Sequence, residues 1–249
     1  MICAGAIALS GCEKPTAQAP SALPEASDAE NTTPSRSPEV RKPVETPKVP
    51  AEKEAAFIDH AVPFTSQAPT GGWDDQRQQD GCEEAAAYMA YLWTQKKGMP
   101  GSKQALADML AISDYEQETY GEYRDVSLED IRDWIFKDYF KYSNIEVKQG
   151  IKAADIIEAL ESGAVVLAPM NGQKLGNPNF SGAGPERHMI LIRGYDPAKK
   201  QFIANDPGTR RGERYRYSES TIMSALLAYP TGYHVPADEN KKGILIVRK

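Results

Sequence analysis

The sequence predicts an α+β domain preceded by a segment that does not fold. All 21 aromatic residues lie at or after Phe57. Between Ala85 and Ile135, apolar residues recur at helical spacing. After Ala164 the pattern changes to short β-branched runs bounded by Gly, Asn and Pro. Helices first and strands later mark a segregated α+β arrangement rather than an alternating βαβ sheet.

Taken in order, the chain opens with a short apolar run that ends in Leu9-Ser10-Gly11-Cys12. Small residues before a processing site follow the secretory pattern, here without a leading Lys or Arg, as in a shortened leader. Residues 13–56 hold eight of the 18 prolines among Ala, Ser, Thr, Glu and Lys. Such a stretch cannot bury enough apolar surface to offset its ordering entropy, so it is expected to be a disordered, partly extended spacer.

The folded part spans 57–249. A helix follows Gly81, with Ala85, Tyr88, Met89 and Leu92 on its apolar face, and a second surrounds Leu106, Met109 and Leu110. Ser127 precedes two acids and then Ile131, Trp134 and Ile135, a capping-box start to a third helix. Ala153–Glu161 reads as a helix stopped by Gly163, followed by a buried strand over 164–170. Further strands are predicted at 188–195, 201–205 and 243–248, with a helix at 218–229.

Composition excludes several functions. The net charge of −6 and a pI near 5.3 oppose nucleic-acid binding. No run of 18 apolar residues exists to span a bilayer as a helix. Three cysteines make neither a disulfide scaffold nor a metal knuckle. There is no HExxH, CxxC or P-loop, so neither a cofactor nor a metal is expected. Charge is segregated: residues 57–140 carry 16 acidic and 7 basic groups, net −9, and 141–249 carry 11 and 16, net +5. The halves would attract one another, and Arg210, Arg211, Arg214 and Arg216 could meet an anionic substrate.

With Cys3 in the leader and Cys12 at the processing site, Cys82 is the one cysteine of the folded part. It stands at a helix start, where unpaired amides and the dipole favour a thiolate, while Glu83 and Glu84 oppose one. The alternative is a buried, inert cysteine. Of three histidines, His188 begins the strongest strand, and Asp206 follows the next one 18 residues on. A hairpin would set the carboxylate beside the imidazole, the orientation a catalytic His needs. Gln67, or the nearer Gln76, Gln78 or Gln79, could supply a side-chain amide to a developing oxyanion.

The runs VPFTSQ, DGCEEAAAYM, HMILIRGYD and QFIANDPGT, in that order, resemble the bacteriocin-processing cysteine peptidases, and more closely their stand-alone relatives in cysteine peptidase family thirty-nine. Leu9-Ser10-Gly11-Cys12 resembles a bacterial lipobox. The first resemblance covers roughly 60–248 and implies a papain-like fold, with a helical N-terminal lobe and an antiparallel-sheet C-terminal lobe. It implies Cys82 as nucleophile, His188 as base, Asp206 as orienter and Gln67 as oxyanion donor; where the family often has Cys-Gly, this chain has Cys82-Glu83. The second implies lipidation at Cys12 and a membrane-tethered extracytoplasmic protein. Together they imply a monomeric hydrolase of peptides or amides. The alternatives are a non-catalytic surface binding module and a peptidoglycan amidase or endopeptidase.

Overall fold

A computed structural model describes residues 56–249. The expected leader, the lipidation site Cys12 and, Ala56 apart, the proline-rich spacer lie outside the described residues. The strands are β1 (Ile58–Asp59), β2 (Ile145–Gln149), β3 (Val165–Met170), β4 (His188–Asp196), β5 (Gln201–Asn205), β6 (Tyr215–Ser218) and β7 (Gly243–Val247). The helices are α1 (Gln76–Gln79), α2 (Cys82–Thr94), α3 (Ser102–Tyr120), α4 (Leu128–Asp130), α5 (Ala153–Glu161), α6 (Gly172–Leu175) and α7 (Glu219–Ala225).

All strand pairs are antiparallel, in the order β2-β7-β3-β4-β5-β6. β1 adds to β4 at Gly194 and Tyr195, beyond the stretch that β3 covers. The central strands are buried on both faces, which is why their sequences are continuous apolar runs. Their side chains alternate strictly. Val165, Leu167, Met189, Leu191, Leu245 and Val247 pack with residues of α2, α3 and the segment after α4. Val166, Ala168, Ile190, Ile192, Ile244 and Ile246 pack with residues of α5 and α7. Helices therefore cover both faces of the antiparallel sheet, an α+β arrangement in layers within one compact unit.

Local departures have physical causes. Ser127 caps α4 by accepting from the Asp130 amide, as its sequence implies. Beyond Asp130 the chain widens into a π-helix over Ile131–Tyr139, and the Phe140 amide bonds to the Ile135 carbonyl five residues back. That widening places Phe140 in a stack on Tyr91 and Trp134 in a stack on Tyr120, with ring centroids 4.0 and 4.3 Å apart. The helix expected at 218–229 ends at Ala225, because Leu226 turns extended and bridges to Met170. The edge strands β2 and β6 escape prediction because their polar alternation carries little apolar signal.

The oppositely charged halves do meet. Arg193, at the bulge in β4, donates to Asp59 at 2.8 Å, and Arg214 reaches the same carboxylate at 2.6 Å. Arg193 also donates to the Val62 carbonyl at 3.0 Å. Asn205, at the end of β5, donates to the Pro63 carbonyl at 3.2 Å. The Gln67 amide then bonds to the Pro207 carbonyl at 2.9 Å. These bonds fix the segment 62–67 against the end of the β4–β5 hairpin.

Candidate active site

Gly81 caps α2, so Cys82 is the first residue of a helix of which 11 of 13 residues are buried. Such a helix is apolar nearly all round and anchors its N-terminus in the core. At the neighbouring sheet end, His188 begins β4 and Asp206 follows β5. The antiparallel register sets Leu191 opposite Asn205, so the two side chains converge. His188 Nε2 and Asp206 Oδ1 lie 2.8 Å apart, with both side chains essentially removed from solvent.

Asp206 is saturated with donors. Its carboxylate also accepts from the Gly208 amide at 3.0 Å, the Tyr217 hydroxyl at 2.5 Å and the Asn177 amide at 3.2 Å. Burial opposes ionisation, but the imidazole, the Tyr217 hydroxyl and the Gly208 amide outweigh it and hold the carboxyl below its ordinary range. An ionised carboxylate only accepts, so Nε2 carries the imidazole hydrogen and Nδ1 is the open acceptor of the neutral ring. Nδ1 is buried and makes no hydrogen bond. Gly208 is required beside the imidazole ring, since a methyl there would lie 2.9 Å from His188 Cε1.

Cys82, His188 and Gln67 line one cavity of about 800 Å³. The loop 178–186 forms one of its walls, with Phe180 edge-on to His188 at 5.3 Å between centroids. Trp73, 39% exposed, and the Gly208–Arg211 turn form others. Of the four arginines singled out by charge, Arg210 and Arg211 line the cavity, whereas Arg214 and Arg216 are paired to Asp59 and Asp196. His60 is bonded to the Leu160 carbonyl, away from this site. Among the described residues, no cluster of three His, Cys, Asp or Glu could hold a metal ion.

Two features differ from expectation. The helix start does not make Cys82 a resting thiolate: burial, then the Glu83 charge and hydrogen bond, push the thiol well above its ordinary value. Its Sγ donates to Glu83 Oε2 at 2.9 Å. The Gln67 side chain sits in the cavity wall, but its amide donates to the Gln78 and Gln79 carbonyls at 3.0 and 2.7 Å. The alternative glutamines are engaged or turned away. Gln79 donates to the Trp73 carbonyl, exposed Gln76 donates to Asp80, and Gln78 does not line the cavity.

The sequence shows Glu83 as a charge beside the thiol but not its hydrogen bond to Sγ, and it does not show Tyr229 behind it or the pair Tyr217 and Asn177 on Asp206. Tyr229, Tyr217 and Asn177 reach the site from separate parts of the chain, and no spacing rule joins them.

No curated protein matches the chain. A crystal structure of a Bacillus anthracis protein assigned to the C39-like peptidases aligns over 78% of this chain and 98% of that one, at 13% identity and a TM-score of 0.43. The model of the Peptidase_C39 like family matches residues 60–230, the stretch that contains Gln67, Cys82, His188 and Asp206, and the chain belongs to that family.

Proposed function

We propose that the protein is a cysteine peptidase or amide hydrolase of papain-like build that works through Cys82, His188 and Asp206. The observation that supports this most is the saturated His188–Asp206 pair, its free Nδ1 buried beside a cavity that Cys82 also lines. In this reading, Nδ1 takes the thiol proton as Sγ attacks the substrate carbonyl. The same proton passes to the leaving amine as the C–N bond breaks, and water then releases the thioester. The Cys82 amide, in the first turn of α2, has no intrahelical acceptor and can stabilise the oxyanion. Gln67 joins it by releasing one of the two carbonyls it holds.

The expected lipobox and spacer fit a domain held outside the cell on a lipid anchor at Cys12, acting as a monomer on peptides. Cleavage of a peptide library by the wild type, absent in Cys82→Ala, is the expected result. Equal cleavage by both proteins, or by neither, defeats the peptidase reading. The protonated thiol favours one other reading, a binding module with an inert cysteine. Iodoacetamide labelling of Cys82 that is slow in both wild type and His188→Ala would select it.

A further inference from the structure

The contact between Cys82 and Glu83 is not explained by the chemistry proposed above, on which the following rests. Cys82 Sγ donates to Glu83 Oε2 at 2.9 Å, and Tyr229 donates to Glu83 Oε1 at 2.7 Å. The Tyr229 hydroxyl also lies 3.2 Å from the His188 carbonyl, which sets the carboxylate close to the first residue of β4. Glu83 is fully buried, and Tyr229 and Cys82 are nearly so. His188, which lines the same cavity as Cys82, has its Nδ1 buried and without a hydrogen bond. The thiol hydrogen is thus held by a carboxylate that does not belong to the His–Asp pair.

We propose that Glu83 is a positioning residue of the reaction centre: braced by Tyr229, it holds the Cys82 thiol hydrogen and keeps the nucleophile protonated at rest. Attack requires the S–H to leave Glu83 Oε2 and face His188 Nδ1. Transfer there breaks S–H, forms N–H, and leaves a thiolate paired with an imidazolium. The remaining groups around the carboxylate make its charge matter more. Glu84 adjoins it on α2, Glu116 faces it from α3, Asp125 lies in the loop before α4, and Asp80 and Asp130 are more distant acids. The cations nearby are His188, once protonated, and Arg187, whose guanidinium lies 5.7 Å from the Tyr229 ring centre. A negative Glu83 opposes the thiolate directly, and its neutral analogue does not.

The test is the pH profile of iodoacetamide alkylation at Cys82 in the full chain, resolved from Cys3 and Cys12 by peptide mapping. Glu83→Gln keeps the shape and removes the charge. The midpoint is expected to fall by about one pH unit or more, a tenfold gain in thiolate at lower pH. Tyr229→Phe keeps the ring and removes the brace, and a smaller fall in the same direction is expected. An unchanged or raised midpoint in folded Glu83→Gln overturns the proposal. If that variant does not fold, an unchanged midpoint in Tyr229→Phe overturns it. The peptidase reading is judged separately by peptide cleavage: a lowered midpoint in a protein that cleaves nothing upholds the resting contact and defeats the peptidase.

Discussion

Glu116 lies on α3 beneath the candidate site, fully buried, with neither carboxyl oxygen hydrogen-bonded. Its nearest charged neighbours are Glu84, whose Oε2 is also unpartnered, and Glu83. Burial and then those two carboxylates push its own carboxyl well above the ordinary 4.5. A buried polar group without partners costs about 1–3 kcal/mol. Glu116→Met, an unbranched apolar replacement in a helix interior, should therefore stabilise the domain by about 1–3 kcal/mol. For a domain of this size that is a rise in Tm of about 2–4 °C per kcal/mol. The gain has a pH signature. A carboxyl raised in the folded state contributes its stability below the unfolded value and loses it as pH rises, so the wild type weakens above pH 4.5 and the variant weakens less. Thermal unfolding of both proteins across that range should show a gain that widens with pH. A loss of stability, or a gain independent of pH, would mean that the carboxyl has a partner in the folded protein.

Three further outcomes follow from the same geometry. Asp206→Asn should leave the fold intact, as read by circular dichroism, yet lower kcat for peptide cleavage by about 10²–10⁴-fold through loss of the orienting carboxylate; undiminished kcat would remove Asp206 from the reaction. Arg193→Met leaves the Asp59 carboxylate to Arg214 alone and the Val62 carbonyl to the longer 3.4 Å bond from Asn205. It should cost about 3 kcal/mol in urea unfolding, the low end for breaking a buried pair because Arg214 remains. Glu83, raised from 4.5 to about 7 by burial and then the Asp125 charge, contributes stability fully below pH 4.5 and loses it as pH rises through 7. That is about 3 kcal/mol, and Glu83→Gln should flatten this part of the pH–stability curve.

What could be read from the sequence was whatever is local. β3, β4 and β7 contain continuous apolar runs, β5 alternates, α2 and α5 have clear apolar periodicity, and the Ser127 cap follows from three adjacent residues. The His188–Asp206 hydrogen bond was legible because a single hairpin joins the two residues. The rest depends on distant parts of the chain. Tyr229 reaches Glu83 across 146 residues and Asn177 reaches Asp206 across 29, so no periodicity announces either. Glu83 was readable as a charge near the thiol, but the direction of its side chain depends on how α2 is buried. The π-helix after α4 is likewise set by packing, since its sequence satisfies an ordinary helical pattern until Phe140 must reach Tyr91.

The proposed chemistry requires Cys82 to carry an acyl group during turnover. Incubation with an activated peptide ester, acid quenching and peptide mapping would test it most directly. An acyl mass is expected on Cys82 of the wild type that decays as product appears, with no product from Cys82→Ala and almost no acylation in His188→Ala. Hydrolysis that continues with Cys82 unmodified, or that persists in Cys82→Ala, would contradict it.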